Sequence, residues 1–101
     1  MEEPEVESFR RDIIDILKDD TRLQIFLSLI ANTENKENRT LKSLSDQLNK
    51  GKTTIHHHIR KMEQVHLVLW EENVEEARQI KTRYYELNLK LLKALFEPLN
   101  E

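Results

Sequence analysis

Apolar side chains recur at helical spacing from the start of the chain. Val6, Phe9, Ile13, Ile16 and Leu17 predict an amphipathic helix over 5–18, and Pro4 suits its entry. Asp19 and Asp20 break the pattern, and either can cap a second helix in which Leu23, Phe26, Leu27 and Ile30 share a face. "NTENKENR" follows with no apolar position and reads as a loop. Thr40 offers a side-chain cap to "LKSLSDQL", where Leu41, Leu44 and Leu48 share a face and Ser45 is small enough for a neighbouring helix to approach. "NKG" is a turn, and a longer helix is predicted over 52–64. "HLVLW" and "IKTRYYEL" are rich in strand formers and flank the polar stretch "EENVEEARQ", which reads as the tip of a long β-hairpin. Asn88 can then cap a last helix with Leu91, Leu92, Leu95, Phe96 and Leu99 as its apolar stripe.

The predicted order is helix, helix, short helix, turn, helix, hairpin, helix. Two helices joined by a tight turn and followed by a hairpin describe a winged helix-turn-helix. The expected fold is mostly α with a small β-hairpin, in one domain spanning 1–101. The helix-turn-helix falls at about 41–65, the wing at about 67–87, and the terminal helices at about 5–18 and 89–98. A chain of 101 residues suits one domain, and no internal repeat or Pro/Ser linker interrupts it.

Composition narrows the chemistry. Only 38% of residues are apolar and 35% are charged, so the core is lean. Cysteine is absent, which excludes disulfides, thiolate metal sites and cysteine nucleophiles. The acidic start "MEEPEVESFR" lacks the basic and apolar regions of a signal peptide, and no run approaches a membrane span. The expectation is a cytoplasmic protein with no membrane partner. Net charge is −3, but it is unevenly spread. Residues 41–66 carry Lys42, Lys50, Lys52, Arg60 and Lys61 against Asp46 and Glu63, an excess of +3.

That basic segment holds "GKTTIHHHIRKM", with three consecutive histidines. On a helix, Ile55, His58, Ile59 and Met62 occupy one face, and Thr53, His56, His57 and Arg60 another. The first face packs inward, with His58 as a half-buried packing residue. The second is polar and free of acids, and each side chain can bond base edges or phosphates. A metal site does not follow, because successive helical residues point about 100° apart and the i+4 partners of the histidines are Arg60, Lys61 and Met62. No orienting carboxylate or nucleophile identifies a catalytic histidine. No enzymatic activity, cofactor or metal is expected.

"LSDQLNKGKTTIHHHIRKMEQVHLV" resembles the helix-turn-helix of ArsR-type winged-helix transcription regulators. "TRLQIFLSLI" is similar to that family's Thr-Arg-Leu-Arg-Ile helix, and "IKTRYYELN" to its second wing strand. The resemblance covers about residues 18–88. It implies that Thr40 to Asn49 support a recognition helix, Lys52 to Lys61, which enters the major groove of DNA. It also implies a two-fold dimer through the first and last helices. Independently, two amphipathic terminal helices exceed what one small core needs. The expected DNA contacts are Lys50, Lys52, Thr53, Thr54, His56, His57, Arg60, Lys61 and Arg83. The expected dimer contacts are Phe9, Ile13, Ile16, Leu92, Leu95, Phe96 and Leu99. Three features depart from the family: no thiolates for metal sensing, an acidic wing of Glu71, Glu72, Glu75 and Glu76, and His66 where a glycine is usual.

Two other functions compete. The acidic N-terminus and wing suit a winged helix used for protein interaction without specific DNA binding. A small-molecule or metal-responsive switch on the same fold has no ligand set in the sequence to mark it, so the effector is unknown.

Overall fold

The computed structural model describes residues 3–97. Five helices and one hairpin follow each other as α1 (Glu3–Ile16), α2 (Asp20–Ala31), α3 (Leu41–Leu48), α4 (Lys52–Gln64), β1 (Val68–Glu75), β2 (Ile80–Leu87) and α5 (Leu89–Phe96). A 3-10 turn, Lys36–Asn38, precedes α3. The strands form a two-stranded antiparallel sheet.

Side-chain caps set three helix starts. Asp19 accepts from the Arg22 N–H at 3.1 Å, Thr40 from Ser43 at 3.1 Å, and Asn88 from Leu91 at 3.1 Å. The predicted loop after α2 is knitted by amides. Asn38 Nδ2 donates to Asn32 Oδ1 at 3.1 Å, and Gln47 Nε2 to the Asn38 carbonyl at 2.9 Å. The polar segment therefore has fixed ends without an apolar residue of its own.

α4 is the centre of the core. Its Ile55, Ile59 and Met62 are fully buried, together with Ile25 and Leu29 of α2, Leu44 of α3, Leu67, and Leu95 of α5. The face expected for α2 is corrected by this packing. Of the expected face only Phe26 packs against the core, beside inward Ile25 and Leu29, whereas Leu23, Leu27 and Ile30 are 38%, 54% and 46% exposed on the other side. α2 carries carbon around most of its circumference, so the spacing of its apolar residues does not single out one face.

The hairpin also differs from its expected outline. β1 runs on through the acidic stretch to Glu75, leaving only residues 76–79 as the turn, with Gln79 left-handed at φ 56°. The residues from Leu69 to Lys81 are all exposed, so pairing and not burial makes them strand. Partners directly opposite share a face, and the register puts Trp70 opposite Tyr85, Glu72 opposite Arg83 and Val74 opposite Lys81. The base of the sheet is covered on both sides. Tyr85 enters the core, while Lys36 of the 3-10 turn lies 4.5 Å over the ring of Tyr84 and 2.9 Å from Glu71. Arg39 closes the base: its carbonyl accepts from the Tyr85 N–H at 2.8 Å, and its guanidinium donates to the Tyr85 carbonyl at 2.7 Å. The radius of gyration is 14.9 Å, against about 13 Å for a compact chain of this length.

Candidate nucleic-acid interface

The α3–α4 turn relies on asparagine more than on glycine. Asn49 takes the left-handed conformation at φ 53°, while Gly51, the residue before α4, has φ −62° and room for a Cβ. Ser45 Oγ bonds the Lys50 carbonyl and so pins the turn to α3. The far end of α4 is fixed by His66, left-handed at φ 62°. Its carbonyl accepts from Asn88 Nδ2 at 2.9 Å.

With α4 held at both ends, Lys52, Thr53, Thr54, His57, Arg60 and Lys61 are exposed along it, and Lys50 is half-buried in the turn. No acid interrupts the sequence from Lys50 to Glu63. His56 departs from the outer face. It is half-buried and lines a groove of about 510 Å³ between α4, the start of α3 and the hairpin. Thr40, Leu41 and Lys42 form one wall, and Glu72, Lys81, Thr82, Arg83 and Tyr85 the other. Lys42, Lys81 and Tyr85 are site residues that the helical wheel does not reveal. For Lys81 and Tyr85 the signal is their alternation with Arg83 along β2, three positions on one face of a strand; Lys42, on α3, has no such signal.

Arg83 faces α4 across this groove, already engaged. Its guanidinium lies 4.0 Å over the Trp70 ring, and its Nε is 3.8 Å from Glu72. Burial pushes the Tyr85 phenol up from its ordinary pKa, and Arg83 draws it partly back. The acids of the outer hairpin are largely matched: Glu71 with Lys36, Glu72 with Arg83, and Glu75 with Arg78 at 3.3 Å.

His58 sits inward, as its spacing predicts, and is polar-satisfied. Arg22 Nη1 approaches its Nδ1 at 3.3 Å. Arginine can only donate, so Nδ1 accepts and the ring proton belongs on Nε2. The Asp19 carboxylate stands 3.9 Å away, beyond hydrogen-bond range. Burial holds the imidazole below the ordinary histidine pKa, against the upward pull of Asp19. Asp19 itself is held below the usual carboxylate value, chiefly by the Arg22 N–H that it caps. Arg22 completes the junction by donating through Nε to the Ile16 carbonyl at 2.7 Å.

The expected dimer contacts need correction. Ile13 and Leu95 are 2% and 0% exposed within the chain's own core, and Phe9, Ile16 and Leu92 pack against it. The terminal helices spend these stripes on each other and on α4, where Arg10 Nε also bonds the Leu95 carbonyl. Phe96 remains 45% exposed, and Ile14, absent from the expected set, is 52% exposed. Leu99 lies outside the described residues.

Among the described residues, no three histidine, aspartate or glutamate side chains form a group that could hold a metal. No described helix is long and apolar enough to cross a membrane. No protein-family model matches the chain, and no curated protein matches it.

Proposed function

We propose that this chain is a sequence-specific double-stranded DNA-binding transcription regulator of the winged helix-turn-helix type, similar to ArsR-type regulators and acting in the cytoplasm as a homodimer without enzymatic activity. The observation that carries the reading is the acid-free exposed face of α4, which stands beside a hairpin and at the end of a tight α3–α4 turn. Thr53, His57 and Arg60 are placed to meet base edges. Lys50, Lys52, Thr54 and Lys61 lie where phosphates would flank them. Arg83 reaches the same side from the hairpin. Exposed Ile14 and Phe96 on the terminal helices, in place of the buried Ile13 and Leu95, support self-association.

Fluorescence anisotropy with duplex DNA, selected from a random pool, tests this function. A palindromic site and affinity that falls steeply with salt are expected. Arg60→Ala should weaken specific binding by about 1–3 kcal/mol and relax preference at one base position. Absence of salt-sensitive binding at low ionic strength would remove the reading. The second reading, a protein-interaction module, is favoured by one observation: Leu23, Leu27 and Ile30 leave carbon exposed on α2.

A further inference from the structure

The groove between α4 and the hairpin has a chemistry that a nucleic-acid backbone alone does not use. Its carbon floor is the half-buried Leu41 side chain with the small exposed edge of Tyr85, which is otherwise buried at 2% exposure, and half-buried His56 is part of the lining. Lys42, Lys81 and Arg83 stand around this floor against one carboxylate, Glu72, so the lining is net positive by two with His56 neutral. A phosphodiester strand passing over the rim would meet the cations and leave the carbon floor uncovered. The volume, about 510 Å³, lies within the roughly 300–1,000 Å³ of small-molecule sites, which combine apolar walls with a few convergent polar groups.

We infer that this groove is a binding site for a small organic anion with a flat apolar body, and that an occupant competes with DNA. The apolar body lies on Leu41 and the exposed edge of Tyr85, and the anionic group meets Lys42 and Arg83. Arg83 is already oriented for this by its stacking on Trp70, and its only carboxylate contact among the described residues, to Glu72, is long at 3.8 Å. An incoming carboxylate that accepts two guanidinium hydrogens is a better partner than Glu72 at that distance. Arg83 is also proposed to face DNA, so the competition half of the inference rests on the function proposed above. The binding half does not.

Backbone-amide NMR on the full chain, titrated with benzoate, separates the two halves. Benzamide supplies the same flat body without charge, and inorganic phosphate supplies charge without the body. Saturable shifts confined to Thr40, Leu41, Thr82, Arg83 and their neighbours are expected for benzoate, with weak responses to both controls. Arg83→Gln should weaken benzoate binding about tenfold, as loss of a charge-assisted bond implies. Lys42→Gln, on the opposite wall and away from the hairpin pairing, should weaken it as well. The site is overturned if benzoate shifts do not saturate, if they scatter over the surface, or if either control matches benzoate. At constant ionic strength, benzoate should lower duplex affinity in anisotropy titrations. Unchanged affinity with the groove occupied overturns competition. Failure to bind DNA without benzoate also overturns competition, together with the proposed function, and leaves the NMR result to decide the site.

Discussion

α4 and the hairpin face each other across one groove, yet they are held by different means. Three side chains of α4, Ile55, Ile59 and Met62, are fully buried. From Leu69 to Lys81 the hairpin buries none, and its shape rests on cross-strand pairs. A cation on α4 is thus placed by the core, whereas Arg83 is placed by Trp70 and Glu72. Rigid placement suits discrimination between bases, and adjustable placement suits an anion whose exact position varies.

Mutations should separate the two. The largest effect is expected at the centre of α4: Ile59→Ala should cost about 2–5 kcal/mol by lost burial and the cavity left behind, read from denaturant unfolding. Next is Asn88→Ala, which removes the α5 cap and the bond to His66 at the end of α4. About 1–2 kcal/mol is expected, measured in the same way. A smaller, pH-dependent contribution comes from His58. Its folded pKa lies below the unfolded value of 6.5, so the unfolded chain binds the proton more readily. Stability should be full above about pH 6.5 and decline as pH falls from there toward the lower folded value. His58→Gln should flatten that part of the profile in thermal unfolding at several pH values. The smallest effect is expected in the hairpin. Trp70→Ala should cost about 0.5–1 kcal/mol, the range of an exposed cation–π contact, while weakening benzoate binding through a less ordered Arg83. A loss as large as that of Ile59→Ala would break the contrast between the two regions.

The same contrast governs what was legible in sequence. The inner face of α4 followed from spacing because its apolar residues occupy one side only, and the caps at Thr40 and Asn88 followed from side-chain chemistry, whereas the α2 cap stayed open between Asp19 and Asp20 until the fold chose Asp19. α2 misled because Leu23, Leu27 and Ile30 oppose Ile25 and Leu29, and spacing cannot rank two apolar faces. The acidic half of β1 read as a loop because its strand identity depends on partners across the hairpin, as with Glu72 and Arg83. His56 belongs to the outer face by helical spacing, but the hairpin folds beside it and turns that position into a groove wall. Gly51 is the chain's one glycine, yet the left-handed position in that turn is Asn49.

The Arg39 bridge gives the hairpin an uneven lifetime along its length. At its base the Tyr85 amide bonds outside the two-stranded ladder, to a carbonyl anchored between α2 and α3. Beyond Arg83 the ladder has no covering layer. Amide hydrogen exchange should therefore fall into a gradient. Protons near Val74 and Lys81 should exchange through local fraying, and the Tyr85 proton only when the whole domain opens. The outer hairpin can then reshape around an occupant on a fast timescale while its root keeps time with the core.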